Sequence, residues 1–128
     1  MSKKVRICLK IVEYSSIPLS LVMFLYILSG YGMISTVPSL IGFTYPTSVK
    51  IHTLPLLRYV ASLLIALHGY AGIVVLVNRY LWKYGTARYL IDVLGLVYAL
   101  LIIIIASLSE LTLSDVEGIR LRRSLRTP

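Results

Sequence analysis

Few side chains in this 128-residue chain could do chemistry, since it has two histidines, one cysteine and five acids. His68 lies in the stretch Leu67-His68-Gly69-Tyr70-Ala71-Gly72-Ile73, and Tyr80 follows it by twelve residues. Twenty residues separate Arg58 from Arg79, and apart from tyrosines His68 is their only ionisable group. On a helix this places the imidazole about 15 Å from each charged edge, in the middle of an apolar segment. A protonated ring there would be heavily desolvated, so the neutral ring needs a partner, either a metal or a hydrogen bond to another helix. At about 100° per residue, Ala61, Leu64, Ile65, Gly72, Val75 and Arg79 fall near the His68 face. Ala61 and Gly72 leave room beside the ring, and Arg79 lies roughly 16 Å further along nearly the same face. A flat macrocycle could lie on such a strip with its acid groups toward the arginine. Small residues equally permit close helix packing in a membrane, and the pattern leaves both readings open.

The other candidates are weaker. His52 precedes His68 by sixteen residues, which on one straight helix turns it about 160° to the opposite face. Beside Thr53 and Pro55 it reads as an interfacial residue, which argues against a cytochrome with two haems and four histidines. A bis-histidine haem would need its second histidine from another chain. The single cysteine, Cys8, excludes an internal disulfide and an iron–sulfur site built from this chain. No glycine-rich nucleotide loop, cysteine cluster or nucleophile–base pair supports catalysis by the chain alone.

The elements that must position these residues follow from composition. With 58% hydrophobic residues and a mean hydropathy of +0.86, the chain reads as an all-α membrane protein with three transmembrane helices. The apolar runs, about 17–35, 56–77 and 90–108, are each long enough for a hydrocarbon core of about 30 Å. Pro18 is expected in the first turn of the first helix, where its missing N–H is harmless. The basic stretch before that run could mimic a signal peptide, but the run starts late and no small-x-small pattern follows, so a retained helix is expected. Lys3, Lys4, Arg6 and Lys10 precede the first helix, and Arg79, Lys83 and Arg88 fill the connection between the second and third. The positive-inside rule therefore predicts a cytoplasmic N-terminus. This placement also assigns the net charge of +8 to the membrane surface and not to nucleic acid. Tyr80, Trp82, Tyr84 and Tyr89 form an interfacial aromatic cluster. The segment 36–55, with four prolines or glycines, is expected to be irregular. The basic tail 110–128 is left as either a short interfacial helix or an arm. Residues 1–128 read as a single domain.

The stretch Leu67-His68-Gly69 and Gly72-Ile73, followed by Arg79-Tyr80, resembles the second helix of the small cytochrome b membrane anchor subunit (D-type) of succinate dehydrogenase, complex II. That family's pattern is similar to Leu-His-Gly-x-x-Gly-Ile, five variable residues, then Asp-Tyr. Its three-helix layout is similar to most of this chain up to Leu108. The resemblance implies that His68 ligates haem b, shared with a histidine of a second membrane anchor subunit, and that Tyr80 hydrogen-bonds a quinone. It further implies a flavoprotein subunit and an iron–sulfur subunit as partners, and a multi-pass location in the plasma membrane. The chain would be the non-catalytic subunit of a succinate:quinone oxidoreductase, passing electrons between the iron–sulfur subunit and membrane quinone. Arg79 stands where the family has Asp, reversing the local charge and offering a contact to a haem propionate or a lipid phosphate. Asp92 is placed to answer Arg79 or, four residues away, Arg88. The alternative is a haem-free structural or assembly membrane protein that packs through Ser29, Gly30 and Gly32 and through Ala66, Gly69 and Gly72. A different b-type cytochrome subunit, such as the membrane arm of a hydrogenase or formate dehydrogenase, ranks behind both, since those families use more in-membrane histidines.

Overall fold

Four α-helices and one 3₁₀ turn follow each other in a computed structural model that describes residues 2–81 and 83–124, with side chains described as far as residue 113. They are α1 (Lys3–Ile34), a 3₁₀ turn (Val37–Ile41), α2 (Tyr45–His52), α3 (Pro55–Tyr80) and α4 (Gly85–Ser124). Helices α1 and α3 and the 85–113 part of α4 are each long and apolar enough to cross a membrane. The chain is therefore an all-α membrane protein.

Helix α1 begins at Lys3, about fourteen residues before the expected start at 17, and this puts Pro18 inside the helix. The Ser2 side chain caps it by accepting from the Val5 N–H at 3.4 Å. The early start has a packing cause. Val5, Cys8 and Ser15 are buried, while Lys3, Arg6, Lys10 and Glu13 are exposed, and at 100° per residue the two sets occupy opposite faces. Amphipathic packing, which average hydropathy does not register, stabilises this first part of the helix.

The segment expected to be irregular is mostly helical. Pro38, Pro46 and Pro55 each sit in the first two positions of a helical element, where a fixed φ helps and no donor is lost. Gly42, at φ 90°, ends the 3₁₀ turn, and that left-handed backbone suits glycine. Leu54 is extended immediately before Pro55, as the proline ring requires of the preceding residue. This breaks α2 from α3. Helix α4 starts at Gly85, five residues before the expected 90, and runs unbroken through Ser124, so the tail from 110 continues the third helix and forms neither a separate helix nor an arm. Residues 125–128, with Arg126, and Trp82 of the aromatic cluster lie outside the described residues.

Helix α3 is central, packed on α1 and on α4. Cys8 joins Ala71 and Val74 in the core between α1 and α3. Between α3 and α4, a Cβ at Gly95 would lie 3.0 Å from Ile73 Cγ2, so the glycine sets the approach of the two helices. Farther along, Arg58 donates to both Glu110 carboxylate oxygens, at 2.8 and 3.0 Å. At the opposite end Lys4 pairs with Asp92. The sequence offered Arg79 or Arg88 as the partner of Asp92. The early start of α1 brings Lys4 to it instead.

Candidate functional site

The polar side chains of the apolar helices meet in two similar pairs. His68 Nδ1 lies 2.9 Å from Ser15 Oγ, and Ser15 is itself buried and lies 3.4 Å from the Val12 carbonyl. His52 Nδ1 lies 3.0 Å from Ser29 Oγ, and Ser29, fully buried, donates to the Tyr26 carbonyl at 3.1 Å. Assigning each hydroxyl proton to the carbonyl three residues back makes each serine oxygen the acceptor from an Nδ1–H. In the neutral form of each ring this assignment leaves the Nε2 lone pair unused. A metal-binding histidine has this form, its far nitrogen held by a second hydrogen-bonding group.

His52 is not where the straight-helix argument put it. Because the chain breaks at Thr53–Leu54, the 160° rotation does not apply, and the ring turns onto α1. It meets Tyr26 edge-on, with centroids 5.0 Å apart, and Gly30 leaves room beside it, where a Cβ would sit 3.9 Å from His52 Cε1. The two serines are fourteen residues apart on one helix, which separates the two imidazoles by about 21 Å along α1. They cannot bind one iron. Among the described residues no three His, Cys, Asp or Glu side chains group as a metal site.

The face of α3 around His68 is open on one side. Nothing lies within 4 Å of a Cβ built at Gly69 or Gly72, whereas Ala66, Ala71 and Val74 are buried in helix packing. Of the small residues read as packing surfaces, Ser29, Gly30 and Gly32 are used within the chain, against α2. At Gly32 a Cβ would overlap the Ser48 hydroxyl. Gly69 and Gly72 have no such partner here. One turn past Gly72 the strip continues into a cavity of about 470 Å³ lined by Val75, Asn78 and Arg79 of α3 and by Arg88 of α4. Tyr80 stands outside this cavity, 67% exposed, with the Arg79 guanidinium 5.6 Å from its ring centroid. His68, Gly72 and Arg79 are thus brought onto one open strip, and Tyr80 lies beside its end.

Ser15 escaped the sequence reading, and Ser29 entered it only as a small packing residue, not as a histidine partner. Their signal was present: two serines fourteen apart on one helix answer two histidines sixteen apart on a chain running the other way. Only the antiparallel pairing of α1 with α2 and α3 makes those spacings correspond. No protein-family model, curated protein or solved structure matches the chain.

Proposed function

We propose that this chain is the membrane anchor subunit of a succinate:quinone oxidoreductase and that His68 ligates a haem b. The observation that carries the reading is the His68 ring, held at Nδ1 by Ser15, with an open glycine-bearing strip beside it that leads to Arg79. These residues fit the group: a ligand nitrogen without another partner, space at Gly69 and Gly72 on the open strip, and a cation for a propionate where the strip ends. A haem bound there supplies a one-electron carrier inside the span. The chain's own residues fix the imidazole tautomer, admit the macrocycle and place positive charge at its acid edge. A second histidine for the haem would have to come from a second anchor subunit, since His52 is too far along α1. Tyr80 presents an exposed phenol that can donate to a quinone carbonyl. On this reading the flavoprotein and iron–sulfur subunits would lie in the cytoplasm, at the basic end, with the anchor in the plasma membrane.

The test is the absorbance of the native complex. A reducible b-type haem band is expected, and His68→Ala is expected to abolish it while the chain still inserts. An undiminished band in that variant removes His68 as ligand. A second reading, a haem-free structural anchor, is favoured by the Ser15 bond itself, which already satisfies one ring nitrogen across helices. A native complex without haem selects that reading.

A further inference from the structure

The cavity at the basic end has a composition that His68 does not explain. Its polar lining is Arg79 in the last turn of α3 with Asn78 beside it in sequence, Arg88 in the first turn of α4, and Ser2, which caps α1. Its apolar wall is Val5 and Leu9 of α1 with Val75 of α3. No carboxylate lines it. Asp92 is engaged by Lys4, and Glu13 sits on the exposed stripe of α1, away from α3. Among the described residues neither guanidinium has an acid partner, although Arg88 is half-buried. Two like charges lining one concavity repel each other, and an anion between them removes that repulsion. Asn78 spends one amide N–H on the Val74 carbonyl at 2.7 Å and keeps the other.

We propose that this cavity binds the phosphate of an anionic membrane phospholipid, its acyl chains lying along Val5, Leu9 and Val75. Guanidinium groups match phosphate oxygens in paired hydrogen bonds, which favours phosphate over a halide or a lone carboxylate. The apolar wall favours an amphiphile over a free ion. The position suits a lipid as well, since a basic pocket between membrane helices at a charged interface is where anionic head groups are held. The site needs neither a haem nor a second axial ligand; it shares Arg79 with the propionate contact proposed above, whereas Asn78 and Arg88 belong to it alone, so Arg88→Gln tests it apart from that reading.

The purified full chain in a neutral detergent is titrated with phosphatidylglycerol, phosphatidylcholine and inorganic phosphate, with bound lipid read by native mass spectrometry and helicity by circular dichroism. Phosphatidylglycerol is expected to be retained and to raise the melting temperature, and the other two are not. Arg88→Gln and, separately, Arg79→Gln are each expected to weaken its binding about tenfold, the equivalent of one charge-assisted hydrogen bond, with helicity unchanged. Arg88→Lys is expected to lose less than Arg88→Gln. Equal retention of phosphatidylcholine, binding of inorganic phosphate alone, or undiminished binding in both correctly folded glutamine variants overturns the proposal.

Discussion

Ser15 and Ser29 play the same part at two heights of α1: each, itself buried, meets an imidazole Nδ1 at hydrogen-bonding distance. With the hydroxyl proton assigned to the carbonyl three residues back, the helix itself selects the histidine tautomer. His68 could be picked out from sequence because an ionisable group so far from any charge is costly enough to demand a reason. The serines could not, because a serine in an apolar helix is cheap and can satisfy its own hydroxyl on the preceding turn. Gly32 shows the same limit. Its hydrogen lies against the Ser48 hydroxyl, and the Phe43 carbonyl would be 3.0 Å from a Cβ built there, but nothing in Ser-Gly-Tyr-Gly says which glycine is closed in. Gly32→Ala is expected to destabilise the chain by about 1–3 kcal/mol through overpacking. Gly69→Ala, with open space over it, is expected to be neutral or slightly stabilising in the isolated chain, through helix propensity. Thermal melts of the two variants in detergent check the contrast.

At the scale of elements, the existence of three spanning helices followed from hydropathy, and α3 matched its expected bounds within three residues at each end, 55–80 against 56–77. The start of α1 and both ends of α4 did not, because hydropathy locates the part of a helix that sits in lipid and says nothing about where helical hydrogen bonding stops. The prolines of the 36–55 segment were read as breakers when they were helix starts. A proline signals both, and the distinction rests on whether a helical turn follows. The α3–α4 pairing depends on Gly95 at one height and on the Arg58–Glu110 pair at another. With side chains 32% and 23% exposed, this bidentate pair is partly shielded from solvent, and losing one partner leaves the other poorly solvated. Glu110→Gln is expected to cost about 1–3 kcal/mol, less than a fully buried pair and more than a surface one. The Arg58→Met, Glu110→Leu double variant is expected to recover most of that loss, because it removes both charges together. If unfolding measurements show additive losses in the double variant, the two residues do not act as a pair.

The molecule as a whole carries a mismatch between its helices. Ser15 is level with His68, and Cys8 packs on Ala71 and Val74, so α1 and α3 run antiparallel in a fixed register. On α1 the charge-free stretch begins at Tyr14, just beyond Glu13, whereas on α3 it continues past His68 to Asn78. The apolar bands of the two helices are therefore offset by roughly 14 Å along the bundle axis. One bilayer cannot match both. If the membrane is centred on the α3 band, Glu13 lies only about 3 Å from the depth of His68, exposed and on the face of α1 turned away from α3. Lys10, about 4.5 Å nearer the basic end than Glu13, can extend its ammonium toward the interface, but the shorter glutamate cannot. An acid at that depth facing lipid costs roughly 2.5–3.5 kcal/mol on insertion scales. The cost disappears if Glu13 faces a partner subunit or a water-filled approach to it. Inserted alone, the chain is expected to settle with the bilayer shifted toward the α1 band, which brings residue 13 to the interface. In a Cys8→Ser background, Glu13→Cys is then expected to react with a membrane-impermeant maleimide added from the Lys3 side. It is expected to be protected once the co-purifying partners are assembled. Protection in both states would place the residue in lipid, and labelling in both would leave it in water, and either result would remove the partner-covered face.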